Sequence, residues 1–193
     1  MKITFLDAST VDAGDINLDC IREHGDLIIH STTSNSETLQ RVIDSEIIIT
    51  NKVIIDKPII EASKKLKLIV VSATGYNNID LDAARANNVT VCNVVDYSTP
   101  IVAQHTISLI LNLCGQTYKY LNEKSLWPAS PIFTRLDHRV TEISGKTLGI
   151  VGVGNIGSKV GEIAESMGMK IQVLARKDSK SLIHQEWPRL ELS

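Results

Sequence analysis

A chain of 193 residues, 43% apolar and 22% charged, has room for one large globular domain or for one domain and part of a second. Its formal net charge of −2 argues against nucleic acid or an acidic membrane as partner, and its one basic cluster, Lys64, Lys65 and Lys67, reads as a solvated helix end. Three widely spaced cysteines, Cys20, Cys92 and Cys114, show no CxxC pattern, which argues against a disulfide framework or a metal site and fits a reducing compartment.

The opening "MKITFLDA" turns acidic at Asp7 before any long apolar run, so no signal peptide is expected and a cytoplasmic location is. Five short runs rich in Ile and Val follow in order: 2–8, 26–30, 46–50, 66–73 and 89–94. Runs apolar at nearly every position mark strands buried on both faces, hence a parallel sheet. Helical patterns lie between them. Leu18 and Ile21 share a face before Gly25. Ser34 precedes Glu37 at capping-box spacing, and Leu39, Val42 and Ile43 then fall on one side. Shorter helices are expected over 57–65 and 81–88, the second ending in Asn87-Asn88, which tolerate a left-handed cap. Residues 1–98 therefore read as an open α/β domain.

A long helix over 100–122 is predicted next, with Thr99 as N-cap and Pro100 in its first turn. Ile101, Ile107, Ile110, Leu111 and Cys114 form a wide stripe that asks for burial against a second domain or subunit. The stretch from Ile101 to Leu113 is broken by Gln104 and His105 and is too short to span a bilayer. Residues 123–144, with Pro128 and Pro131, read as an arm or linker.

Gly152-Val153-Gly154-Asn155-Ile156-Gly157 is a complete GxGxxG. Its context strengthens it: a strand pattern at 148–151 before, a helix pattern with Val160, Ile163, Ala164 and Met167 after, and a second strand at 171–175. Gly152 allows the tight turn, Gly154 lets a pyrophosphate approach the backbone, and Gly157 lets helix and strand pack closely. The helix start, with Asn155 and Ile156, offers N–H groups and partial positive charge to phosphates. An acid that would bind the adenosine ribose is missing where Ala175 stands, and Arg176 and Lys177 follow. That pattern favours NADP over NAD, the alternative being NAD with Asp178 in the acid's place.

The segments "SATGYNNIDLDAARANNVTVCNV", "YSTPIVAQHTISLIL" and "GKTLGIVGVGNIGSKVGEIAESMGMK" together resemble the D-isomer-specific 2-hydroxyacid dehydrogenases, nearest the glycerate dehydrogenase and hydroxypyruvate (glyoxylate) reductase branch. The resemblance runs from about Ile47 to Lys177. It implies a flavodoxin-like, parallel-sheet substrate portion over 1–98. Residues 99–193 would then hold a linking helix, an arm and an incomplete Rossmann (doubly wound) dinucleotide-binding domain. It also implies hydride transfer between a nicotinamide cofactor and a small 2-keto or 2-hydroxy acid. The backbone N–H groups of Thr74 and Gly75 would hold the substrate carboxylate, with Tyr76 and Asn78 near the pocket. Thr106 would approach the cofactor, and residues 100–144 would form a homodimer contact.

The family's catalytic Arg, Glu and His have no counterpart here, so no catalytic residue is assigned and this chain is expected to be inactive by itself. His105 is expected to pack, His138 to sit in solvated charge beside Arg135 and Arg139, and His184 to pair with Glu186 away from any site. Residues 145–193 are expected to give two strands and one helix, poorly supported, behind a stable first domain. Two rival readings are a non-catalytic dinucleotide-binding or dimerisation module and a signalling receiver. The receiver fits poorly, because Thr50 and Asn51 stand where an acceptor Asp would lie, although Asp7 ends the first strand.

Overall fold

The computed structural model describes residues 1–176, 184 and 186–192, and the chain divides into two compact units, Met1–Tyr97 and Ser98–Ser193. In the first unit the five Ile/Val runs become β1 (Lys2–Phe5), β2 (Asp26–Ile29), β3 (Ile47–Thr50), β4 (Leu68–Val71) and β5 (Thr90–Asn93). All pair in parallel, in the order β2-β1-β3-β4-β5, the flavodoxin-like order. Both faces are covered, as the near-continuous apolar runs require. Leu6, Ile48, Ile69 and Val71 pack on one side with Val42, Ile60 and Ala83; Ile3, Phe5 and Ile49 pack on the other with Leu18 and Ile21. These partners come from or flank the crossover helices α1 (Asp19–Arg22), α2 (Asn35–Val42), α3 (Lys57–Ala62) and α4 (Leu81–Ala86).

Local chemistry starts and stops these helices. Ser34 donates its N–H to Glu37 Oε2 at 3.0 Å and its hydroxyl at 2.6 Å. Asp56 and Asp80 accept the N–H groups of Ile59 and Ala83 at 3.2 and 2.9 Å. Asn88 follows α4 with φ +57°, the left-handed stop its residue type allows. The face of α2 differs from expectation: Thr38 and Val42 are buried, whereas Leu39 and Ile43 are exposed. A hydroxyl can occupy that inner position because Thr38 Oγ1 donates to Ser34 O at 3.0 Å within its own helix.

One buried carboxylate ties the sheet edge. Asp7, just beyond β1, is 3% exposed. It accepts the N–H of Asn51 at 2.9 and 3.1 Å and that of Lys52 at 2.7 Å, so the turn leaving β3 is held by β1.

In the second unit the single helix expected over 100–122 is two: α5 (Thr99–Gly115) and α6 (Thr117–Asn122). Ser98, not Thr99, precedes the first turn. Gln116 sits between them at φ +52°. Side chains make the break: Gln116 Nε2 donates to Leu113 O at 2.5 Å, and Asn112 Oδ1 accepts the N–H of Tyr118 at 3.1 Å. The apolar stripe is not buried along its length either. Ala103 is fully buried and Ile107 packs on the core of this unit, but Ile101, Leu109, Leu111 and Leu113 are exposed.

The arm that follows is held by charge. Glu123 is the hub: Arg135 Nη2 reaches Glu123 Oε2 at 2.8 Å, and His138 Nε2 lies 3.0 Å from that same oxygen. Arg135 also donates to Glu123 O at 3.0 Å and to Asp137 at 2.7 Å. Tyr120 Oη lies 3.2 Å from the carbonyl oxygens of both Arg135 and His138. The side chains of Arg135 and His138 are 9% and 18% exposed, so this is a half-buried network and not the solvated charge expected.

The sheet of this unit has three described strands, not two: β6 (Thr147–Val151), β7 (Lys170–Arg176) and β8 (Arg189–Leu192), all parallel in the order β6-β7-β8. Helix α7 (Asn155–Ser166) connects the first two. Trp187 supplies packing for this sheet. It is 3% exposed and joins Ile150, Ala164, Ile171 and Val173 in one core. Its ring lies over Gly161, where an added Cβ would stand 2.3 Å from the indole, so no larger residue fits. His184 stacks on this ring at 3.9 Å and 7° and reaches Glu186 at 2.9 Å and Glu162 of α7 at 3.3 Å.

Two outcomes follow. Asp7→Ala leaves buried N–H groups unpaired and should cost about 3 kcal/mol, read as a lower urea midpoint by circular dichroism; Asp7→Asn, which keeps one acceptor, should recover part. An unchanged midpoint would show that these amides find other acceptors. The Glu123 carboxyl is held below the usual range, first by the His138 hydrogen bond and then by that of Arg135. A lowered folded value gives stabilisation that is complete above the ordinary glutamate value and is lost as pH falls through the lowered one. The arm should therefore loosen only in acid below the ordinary glutamate range, seen in the Trp127 indole NMR signal, and Glu123→Gln should abolish that dependence.

Candidate functional site

Each unit carries one candidate site at the carboxyl end of its sheet. In the second unit, β6 ends at Val151 and the chain turns at Gly152, whose φ of +86° is the left-handed conformation that side chains rarely adopt. Gly152 N–H donates to Leu174 O at 3.1 Å, so the turn is fastened to β7. Gly154 is the N-cap of α7, and Ser158 N–H donates to Gly154 O at 2.9 Å to start the helix. Among the described residues a Cβ on Gly154 would meet nothing within 4 Å, which leaves space over the first turn. Gly157 differs. A Cβ there would lie 2.4 Å from Gly152 O and 3.3 Å from Ile150 Cγ2, so its absence lets helix and strand touch. Asn155 and Ile156 occupy the first two positions of α7, and Ile156 is half-exposed. A concave backbone, a helix start and open space above it fit a pyrophosphate.

The other cofactor candidates are placed less favourably. Thr106 donates its hydroxyl to Val102 O at 2.8 Å and is engaged by its own helix. Arg176 is the last residue of β7, but its side chain, with those of Ala175, Lys177 and Asp178, lies outside the described residues.

In the first unit Thr74 and Gly75 are exposed in the loop after β4. Gly75 is not among the left-handed glycines, so the turn does not need it for φ. Among the described residues a Cβ there would meet only Asn77 Oδ1, at 3.6 Å. Thr74 O accepts the side-chain N–H of Asn93 at 2.8 Å, and Ala73 O accepts the N–H of Val94 at 3.1 Å. Among the described residues, the N–H groups of Thr74 and Gly75 donate no hydrogen bond. Two successive N–H groups without an acceptor among the described residues, in an exposed loop at a sheet end, are open to water or to a small anion. Tyr76 lines a shallow pocket of about 260 Å³ with Leu81, Val91 and Asn93. Asn78 is committed elsewhere, donating to Val53 O at 2.9 Å.

Of the histidines, His105 is exposed and does not pack, His138 belongs to the arm network, and His184 braces Trp187. Among the described residues no cluster of His, Cys, Asp or Glu is arranged to hold a metal, and no helix is long and apolar enough to cross a membrane. Sequence reasoning missed Asn93 as a partner of the loop, since nothing in "VCNV" distinguishes it from any polar strand end.

The family model described as D-isomer specific 2-hydroxyacid dehydrogenase, catalytic domain, matches residues 6–181. The chain belongs to this family. It is 31% identical over 176 residues to the hydroxypyruvate reductase of Blautia hydrogenotrophica, covering 89% of this chain and 55% of that protein. To the glycerate dehydrogenase of Methylorubrum extorquens it is 33% identical over 172 residues, covering 88% and 54%. Among solved structures, an acyclic imino acid reductase in complex with NADPH and D-Arg superposes with TM-score 0.78 at 25% identity, covering 98% of this chain and 60% of that one. The chain spans about half the length of the curated relatives it matches.

The glycines give a direct test of the loop. Gly157→Ala should force Gly152 and α7 apart and cost about 1–3 kcal/mol, whereas Gly154→Ala should change stability by less than about 1 kcal/mol. Urea unfolding followed by tryptophan fluorescence separates the two; equal losses would mean that the tight contact is not where the strain falls.

Proposed function

We propose that this chain supplies the carboxylate-binding loop and the first part of the dinucleotide site of an NAD(P)-dependent D-2-hydroxyacid dehydrogenase. Residues 1–98 serve as the substrate portion and 99–193 as linking helix, arm and cofactor portion. The observation that carries the reading is the glycine loop, where Gly157 closes the helix on the strand while Gly154 leaves open space at the helix start.

Bound there, the nicotinamide cofactor supplies or accepts a hydride at C2 of a small 2-keto or 2-hydroxy acid. This chain's residues orient the reactants. The turn at Gly152 and the N–H groups of the first turn of α7, with Asn155 and Ile156, hold the pyrophosphate. Thr106 lies on the helix assigned to the cofactor side. Thr74 and Gly75 hold the acid's carboxylate, and the family assignment and the hydroxypyruvate reductase and glycerate dehydrogenase relatives support a substrate of that size. Arg176 and Lys177, with no acid at Ala175, favour a 2′-phosphate and so NADP over NAD. The exposed apolar residues of 100–144 support a homodimer contact there, and the composition supports a cytoplasmic setting. The Arg, Glu and His of the family's chemistry have no counterpart among these residues, so a polypeptide of this sequence alone should not turn substrate over.

Titration of the 193-residue chain with NADPH and with NADH, followed by tryptophan fluorescence, tests this. NADPH should bind about tenfold more tightly, Arg176→Ala should remove the difference, and Gly154→Ala should weaken both. Binding of neither dinucleotide sinks the cofactor reading, and tighter binding of NADH sinks the NADP preference alone.

A further inference from the structure

We infer that Asn93 is a positioning residue for the substrate carboxylate, acting through the Thr74–Gly75 peptide. The inference rests on the carboxylate reading of that loop and names what aims it.

An amide N–H can serve an external anion only if its peptide plane is turned the right way, and the plane is fixed by holding the carbonyl at its other end. In a trans peptide the C=O and the following N–H point in opposite directions. The nest needs two such planes, 73–74 and 74–75. The end of β5 holds both carbonyls: Val94 N–H donates to Ala73 O at 3.1 Å, and Asn93 Nδ2 donates to Thr74 O at 2.8 Å. Both N–H groups are thereby turned away from β5 and left without an internal acceptor among the described residues.

The two holds differ in kind. The first is a backbone bond that any residue but proline at 94 would supply. The second depends on one side chain. A carbonyl oxygen can be met only by a donor, so the amide NH2 of Asn93 faces it and a carboxylate or an aliphatic group cannot replace it. Asn93 itself is placed by strand register, opposite Val71 in the β4–β5 pair.

Gly75 makes this hold necessary. A peptide flip at 74–75 changes ψ of Thr74 and φ of Gly75 together, and glycine opposes such a change least. An unpinned flip would turn the Thr74 carbonyl, a partial negative charge, toward the position a carboxylate must occupy. The residue that opens the loop to a ligand also frees the peptide, and Asn93 removes that freedom.

The test is NMR on the 193-residue chain, wild type against Asn93→Leu, which keeps the size and loses the donor. Without ligand, Asn93→Leu should bring microsecond-to-millisecond exchange to the amides of Thr74, Gly75 and Tyr76, absent in wild type, with the thermal midpoint and the amides of Asn51 and Lys52 unchanged. With glyoxylate or hydroxypyruvate as probe, wild-type Thr74 and Gly75 amides should shift on titration, and Asn93→Leu should weaken that titration about tenfold. Quiet amides and equal affinity in the variant overturn the role of Asn93 while leaving the carboxylate reading intact. Wild-type amides that ignore the keto acid overturn the carboxylate reading, and Asn93 is then a loop anchor with no bearing on substrate.

Discussion

Parallel strand pairing is the constraint on which the rest depends. A parallel sheet admits no tight hairpins, so every strand hands its chain to a crossover at the carboxyl edge, and the first amides beyond each strand fall outside the ladder. Those amides must find acceptors in the chain or stay open to water and to any ligand that displaces it. The two neighbouring central strands β3 and β4 resolve the demand in opposite ways. Beyond β3, the successive N–H groups of Asn51 and Lys52 close on the carboxylate of Asp7. Beyond β4, the successive N–H groups of Thr74 and Gly75 have no internal acceptor among the described residues. The chain thus contains a worked example of the arrangement that the second pair would offer: a carboxylate seated on two consecutive backbone amides at a strand end. What Asp7 closes permanently beyond β3 stays open to solvent beyond β4, where Thr74 and Gly75 are exposed.

The second sheet meets the same constraint with glycines. The loop after β6 turns at Gly152, and α7 begins so close behind that Gly157 must lack a side chain. Contact below and space above are then coupled, because the contact that fixes α7 also aims its first turn at the opening over Gly154. Gly161 extends the logic one turn further, where its missing Cβ admits Trp187 and ties β8 to the helix.

What could be read in advance follows from how local each cause is. The five strands of the first unit were legible because burial on both faces writes itself into every position, and the cap at Ser34 acts over three residues. The glycine loop was legible because its three glycines answer distinct local demands. The break at Gln116 was not, since it needs the side chains of Asn112 and Gln116 to favour a stop within an apolar run. β8 was not, because its anchor is one tryptophan in a polar tail and the cavity over Gly161 that receives it exists only after folding. His138 beside Arg135 read as solvated charge because their common partner, Glu123, lies at the start of the arm. Asn93 was invisible for the same reason: its partner is nineteen residues earlier, across the sheet.

The arm shows what polar order can prepare. Its fixed points are ionic and hydrogen-bonded, centred on Glu123, and Ile143 near its end packs against the core of the unit. Two of its large apolar residues face outward instead: Phe133 is 97% exposed and Leu136 is 78% exposed. Holding apolar side chains on an ordered backbone costs conformational entropy and gains no burial within the unit. Along α5, Leu109, Leu111 and Leu113 are exposed as well. Apolar side chains carried on an arm that a half-buried ion network already orders have met part of their ordering cost, so burial against a partner would add hydrophobic stabilisation with little further ordering of the arm. That asymmetry, polar bonds inside and apolar side chains outside, is the physical support for the contact proposed through residues 100–144.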